Sequence, residues 1–138
     1  MSDWRGDLCH EAYAAFERVD MQAVERLYDP ECEWDVGFAS AALGETTYHG
    51  LDGVRALMRD VREVFPDWHP QIQELRLRAD GALLVHSRAA GTARDSALAL
   101  EIPAMGQVLE FRGRRILRLM QTQFPPPGWD QAEPLSES

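Results

Sequence analysis

Residues 107–124 constrain the fold more than any other stretch. They read as two long strands joined by a turn at Arg112-Gly113-Arg114, because apolar residues recur at alternate positions on both sides of the glycine. Odd positions (Gln107, Leu109, Phe111, Leu117, Leu119, Gln121, Gln123) make one face, and even positions (Val108, Glu110, Ile116, Arg118, Met120, Thr122) make the other. Both faces are half apolar. A sheet of that kind is normally covered on both sides, so helices are expected on one face. A second subunit is expected on the other, giving a homodimer in which Val108, Ile116 and Met120 are covered and Arg118 is partly buried.

The helices lie upstream. Leu8, Ala12, Ala15, Phe16 and Val19 fall on one helical stripe and predict a helix over 7–19. Asp20 is placed to cap a shorter helix carrying Met21, Val24, Leu27 and Tyr28, stopped by Pro30. Residues 32–36 alternate briefly as a first strand, and 37–48 lack any period and read as a loop. Asp52 is suited to cap a third helix whose stripe is Val54, Leu57, Met58, Val61, Val64 and Phe65, ended by Pro66. From residue 71 the period becomes two, giving strands over 71–79, 82–94 and 97–111 with turns at Asp80-Gly81 and Arg94-Asp95-Ser96. Pro103 and Gly106 interrupt the last of these and predict a bulge rather than an end. A chain of this length is expected to be one domain, here over 1–128, with a flexible acidic tail over 129–138.

Charge and residue usage exclude several functions. A net charge of −9 opposes nucleic-acid binding, which requires clustered cations. All 14 basic residues are arginine, so Schiff-base chemistry through lysine is excluded. The four histidines and the two cysteines, Cys9 and Cys32, have no metal-ligand spacing, so neither a metal nor another cofactor is expected. Residues 1–7 lack the pattern of a secretory signal, and no stretch is apolar enough to span a bilayer. A cytoplasmic protein without membrane contact is expected.

The order of elements, together with Leu27-Tyr28-Asp29-Pro30-Glu31-Cys32-Glu33-Trp34-Asp35, Tyr48-His49-Gly50-Leu51-Asp52-Gly53-Val54, Phe65-Pro66-Asp67-Trp68 and Phe111-Arg112-Gly113-Arg114-Arg115-Ile116, resembles the SnoaL-like group of the nuclear transport factor 2-like superfamily. The resemblance spans residues 8 to 124. It implies an α+β cone, a curved and mostly antiparallel sheet packed against three N-terminal helices. It also implies a pocket between them, used by relatives as polyketide cyclases, ketosteroid isomerases and epoxide hydrolases, or only for binding.

Carried across residue by residue, the cyclase histidine falls on Gln107 and the cyclase aspartate on Gln121. The isomerase base falls at or beside Val36, and the epoxide-hydrolase arginine and second aspartate fall near Ala89 and Gly91. The usual bases are thus replaced, and a glutamine amide donates and accepts hydrogen bonds without titrating. Asp35 and His49 are the candidates left for catalysis. Alternation nonetheless sets Asp35 opposite Trp34 and Val36. Candidate ligand contacts are Trp34, Tyr13, Tyr48, Trp68, Gln107, Gln121 and Gln123. The expected partner is a hydrophobic small molecule with a carbonyl or a ring. Acid/base cyclisation or isomerisation is one outcome, and non-catalytic binding or a dimerisation module is the other.

Overall fold

The computed structural model describes residues 3–37, 40–44 and 46–135. Helix α1 (Trp4–Arg18) begins where the Asp3 side chain accepts from the Arg5 N–H at 2.8 Å, three residues before the expected start at Asp7. After the short α2 (Val24–Leu27) the chain enters β1 (Tyr28–Asp35). This strand starts before Pro30, which is therefore not a boundary. Pro30 lies where pairing with the neighbouring strand slips, between Tyr28 and Glu33, so its missing N–H is tolerated there.

The stretch expected as a loop holds α3 (Ser40–Leu43) and β2 (Thr47–His49). Both are too short to leave a period in the sequence, and β2 exists through its antiparallel pairing with β1. Helix α4 (Gly50–Val64) carries the expected stripe, with Val54, Leu57 and Met58 buried, but starts two residues before Asp52.

The strands that follow are β3 (His69–Leu77), β4 (Leu83–Thr92), β5 (Ala99–Arg112), β6 (Arg115–Gln123) and the two-residue β7 (Glu133–Pro134). They form one curved sheet in the order β2-β1-β6-β5-β4-β3-β7, antiparallel throughout except between β1 and β6. Among the described residues no helix is long and apolar enough to cross a membrane.

Two bulges control which side chains face the helices. Ser87 pairs with Met105 and Ala89 with Ile102, so Pro103 and Ala104 both stand opposite Arg88. That is the interruption the proline predicts. In β6, Arg118 pairs with Glu110 and Ile116 with Phe111, so Leu117 is the extra residue. It turns Ile116 inward beside Phe111, where it is fully buried against the helices. The assignment of Ile116 to the even face is corrected by this one-residue slip.

The outer face is covered by the chain itself. Leu84 and Val108 are buried with Ala82, Trp129 and Ala132, and Met120 and Phe124 pack against them. After Phe124 the chain folds back, forms a turn of 3-10 helix at Trp129–Gln131 and pairs β7 with β3. The Leu135 N–H donates to the Leu75 carbonyl at 2.9 Å. Residues 129–135 are therefore a packed strap and not the flexible tail expected; 136–138 lie outside the described residues. What holds the strap is Trp129, whose ring lies 4.2 Å from the Arg76 guanidinium carbon and whose carbonyl accepts from Arg76 Nη1 at 2.9 Å.

With Ile116 inside and Val108 beneath the strap, these residues no longer form the patch that motivated a second subunit. Arg118 is 45% exposed, between Glu33 and Glu110.

Candidate functional site

The inner face of the sheet and the helices enclose a cavity of about 360 Å³. Its size follows from the elements around it. The stripes of α1 and α4 meet the odd residues of β5 and β6, and the aromatic rings between them do not fill the space. Phe16 and Tyr28 pack on Trp34 with ring centroids 5.8 and 6.1 Å away. At the far end Cys9, Tyr28, Leu109 and Leu119 are buried. At the rim Phe65, Trp68, Pro70 and Ile102 are half-buried and Leu100 is exposed.

The rim is pinned where α4 ends. Thr92 N–H donates to Asp67 Oδ1 at 2.7 Å, and this bond holds the Asp67 carboxyl below its ordinary range. Gly91 allows the approach there, since a Cβ at that position would come 2.9 Å from Trp68 Cε3 and 3.2 Å from Phe65 Cβ.

Three polar side chains of the lining form a row. Tyr13 O–H donates to Gln107 Oε1 at 2.5 Å, Gln107 Nε2 donates to Gln121 Oε1 at 2.8 Å, and Gln121 Nε2 donates to the Gly106 carbonyl at a long 3.4 Å and to Met105 Sδ at 3.5 Å. Burial, and then the neighbouring Cys9, push the Tyr13 hydroxyl well above the ordinary phenol range, so it stays protonated. Ser87 Oγ, fully buried, lies near that hydroxyl but has no partner at bonding geometry among the described residues.

No Asp, Glu, His or Arg is among the described lining residues. The wall can accept and donate hydrogen bonds. Among the described residues it has no carboxylate or imidazole to take a proton.

Of the sequence candidates, Tyr13, Trp34, Trp68, Gln107 and Gln121 lie on this wall together. The others do not. Asp35 is exposed, its Oδ1 accepting from the Gly37 N–H at 2.9 Å, because β1 alternates and turns Trp34 and Val36 inward instead. His49 is on the surface, its side chain 68% exposed and 3.5 Å from Glu33. Tyr48 is buried behind the wall, packed with Val36 and Leu57, and donates to Asp60 Oδ2 at 2.7 Å. Gln123 is exposed at the end of β6, beyond the cavity.

Sequence reasoning overlooked Cys9, Phe16, Tyr28 and Met105 on the wall. The odd-residue alternation that selects Gln107 and Leu109 extends one step back to Met105 and was a usable signal. Tyr28 carried a misleading one, its helical spacing after Val24. Among the described residues no group of three His, Cys, Asp or Glu is placed to hold a metal ion.

Residues 10–123 match the family model described as a SnoaL-like domain. No protein of curated function matches the sequence. Solved structures share the fold at low identity, among them the three that follow. A nuclear transport factor 2-like protein of unknown function from Burkholderia pseudomallei is 20% identical, with a TM-score of 0.75, over 88% of this chain and 91% of that one. TerC, co-crystallised with polyporic acid, is 15% identical with a TM-score of 0.75, over 88% and 92%. A protein of Jannaschia sp. CCS1, provisionally named a SnoaL-like polyketide cyclase, is 9% identical with a TM-score of 0.72, over 91% and 95%.

Proposed function

The chain belongs to the SnoaL-like domain family, and on that premise we propose that it binds an uncharged, ring-containing small molecule without acting on it as an acid or base. One observation carries this reading: the cavity is apolar, is lined by Trp34, Phe65 and Trp68, and among the described residues has as its polar groups only neutral hydrogen-bonding side chains. Its volume falls within the range of small-molecule sites. Cyclisation or isomerisation needs a group that removes a proton within reach of the ligand. Asp35 and His49, the two candidates, both lie outside the cavity. The co-crystallisation of TerC with polyporic acid supports the binding of small molecules by this fold.

The two wall tryptophans provide the assay. Naphthalene is expected to quench their fluorescence saturably, and naphthalene-2-sulfonate to bind at least tenfold more weakly, because a buried sulfonate would have no cation to pair with. Equal binding of the two, or no saturable binding of naphthalene, rules the reading out.

A further inference from the structure

We propose that two copies of this chain associate edge to edge through residues 98–102 of the β4–β5 hairpin, so that each copy covers part of the other's cavity rim. The observation is an open edge. Strand β5 starts at Ala99, but β6 pairs with it only from Met105, opposite Gln123. Residues 99–101, 103 and 104 are exposed, and among the described residues Leu98 and Leu100 are the exposed large apolar side chains. A strand with free backbone groups on one side and apolar side chains in water is a template for another strand.

Pairing on the other side fixes what this edge offers. Ala93 N–H donates to the Leu98 carbonyl at 2.9 Å, and the same register sets Leu100 opposite Gly91 and Ile102 opposite Ala89. In an antiparallel ladder such bonded pairs recur at every second residue, so the backbone groups of Leu98, Leu100 and Ile102 are spent on β4. Those of Ala99 and Glu101 point to the open side. Pro103 has no N–H to leave unpaired there, which suits it to an edge.

A second copy fits this edge in one register. Residues opposite each other across a ladder share a face, so a two-fold axis between identical strands must pass through a residue. Beyond Leu100, an axis sets Ala99 or Glu101 against Pro103, which lacks a donor, and at Glu101 itself it also opposes two carboxylates. Before Leu100, the ladder runs into Ala97, whose backbone is left-handed (φ 53°) and whose N–H is spent on the Ala93 carbonyl. With the axis at Leu100, Ala99 and Glu101 of opposite copies exchange backbone bonds on either side of it, and Glu101 stands against a neutral alanine. Leu100 then meets its counterpart, and Leu98 meets Ile102 of the partner subunit. Leu100 and Ile102 both line the rim, so this apolar ladder lies across the entrances of the two cavities. The contact is narrow, and the dimer it makes is weak, with a Kd in about the micromolar range.

Sedimentation and position-specific crosslinking test this on the full chain. Wild type, sedimented over about 5 to 500 µM, should show a dimer that grows with concentration. Leu100→Cys stands opposite itself across a non-bonded pair, where Cα atoms lie about 4.5 Å apart and within disulfide reach. Under oxidised glutathione it is expected to crosslink about tenfold faster than Leu98→Cys, whose counterpart is displaced along the ladder. Wild type, with Cys9 and Cys32 buried, is the blank. Ala99→Arg sets an arginine opposite Glu101 of the partner subunit and should tighten the dimer about threefold, a gain that vanishes when Glu101→Gln is added. The double variant separates a cross-strand pair from a general change in net charge.

The proposal is overturned if wild type stays monomeric across that range, if Leu100→Cys crosslinks no faster than Leu98→Cys, or if Ala99→Arg gains as much with Glu101→Gln as without it. Sedimentation of wild type decides alone should a variant fail to fold. None of these measurements uses a ligand, so the outcome is independent of whether naphthalene binds.

Discussion

The two faces of the central sheet are made by alternate residues of the same strands and are finished in opposite ways. On the inner face Met105, Gln107, Leu109, Leu119 and Gln121 look into an unfilled space of about 360 Å³. On the outer face Leu84 and Val108 are sealed by the chain's own end, with Phe124 and Trp129 in edge contact at 5.2 Å and Phe124 over His86 at 4.1 Å. Apolar content alone does not distinguish a face awaiting a ligand from one that is closed. The distinction lies in how completely the covering element fills the space. Helices bridging to the sheet leave a void, whereas a strap lying directly on it does not.

The comparison can be broken most directly by removing the strap. Truncation after Gly128 deletes Trp129, Ala132 and β7 and is expected to cost at least the ~3–5 kcal/mol of losing one buried tryptophan. A thermal melt shows it as a fall of well over ten degrees. A fall of only a few degrees would mean that the outer face does not depend on its cover. A smaller loss, about 1–2 kcal/mol, is expected for Trp68→Ala, since this ring already borders empty space and is half-buried. If denaturant melts put Trp68→Ala level with Trp129→Ala, the inner face is packed as tightly as the outer and the cavity is not a void.

The smallest effect concerns pH. Hydrogen bonds from Arg78 pull the Asp80 carboxyl down to about 2, and Arg78 Nη1 also donates to the Pro127 carbonyl, where the strap begins. The folded state favours ionised Asp80. Its contribution is therefore complete above the unfolded value near 4 and is lost as pH falls through about 2. The gap in Tm between wild type and Asp80→Asn should close between pH 4 and pH 2. A gap that stays constant would detach this ion pair from the stability of the outer face.

Much of this was legible in advance. Alternation over 107–124 selected Gln107, Leu109, Leu119 and Gln121 for one face, and all four line the cavity. The stripe of α4 and the interruption at Pro103 were readable because each is a local property of the chain. The strap was not, since a lone tryptophan and alanine among polar residues have no period and gain their burial from strands far away in sequence. Ile116 was misplaced for a related reason: nothing local announces the extra residue at Leu117. For Asp35 the alternation was informative, setting it opposite Trp34, and the catalytic role assigned to it is what the geometry opposes.

The bulge at Pro103 and Ala104 has a consequence for how such a chain can diverge. Before it in space, odd residues of β5 (Met105, Gln107, Leu109) face the cavity; beyond it, even residues (Leu100, Ile102) do. Deep wall and rim are thus read from one strand in two phases. A single-residue insertion or deletion in the hairpin between β4 and β5 exchanges which side chains guard the entrance while the row from Tyr13 to Gln121 keeps its register. Access and recognition are separately heritable, so a lineage can alter what enters without re-inventing what is held.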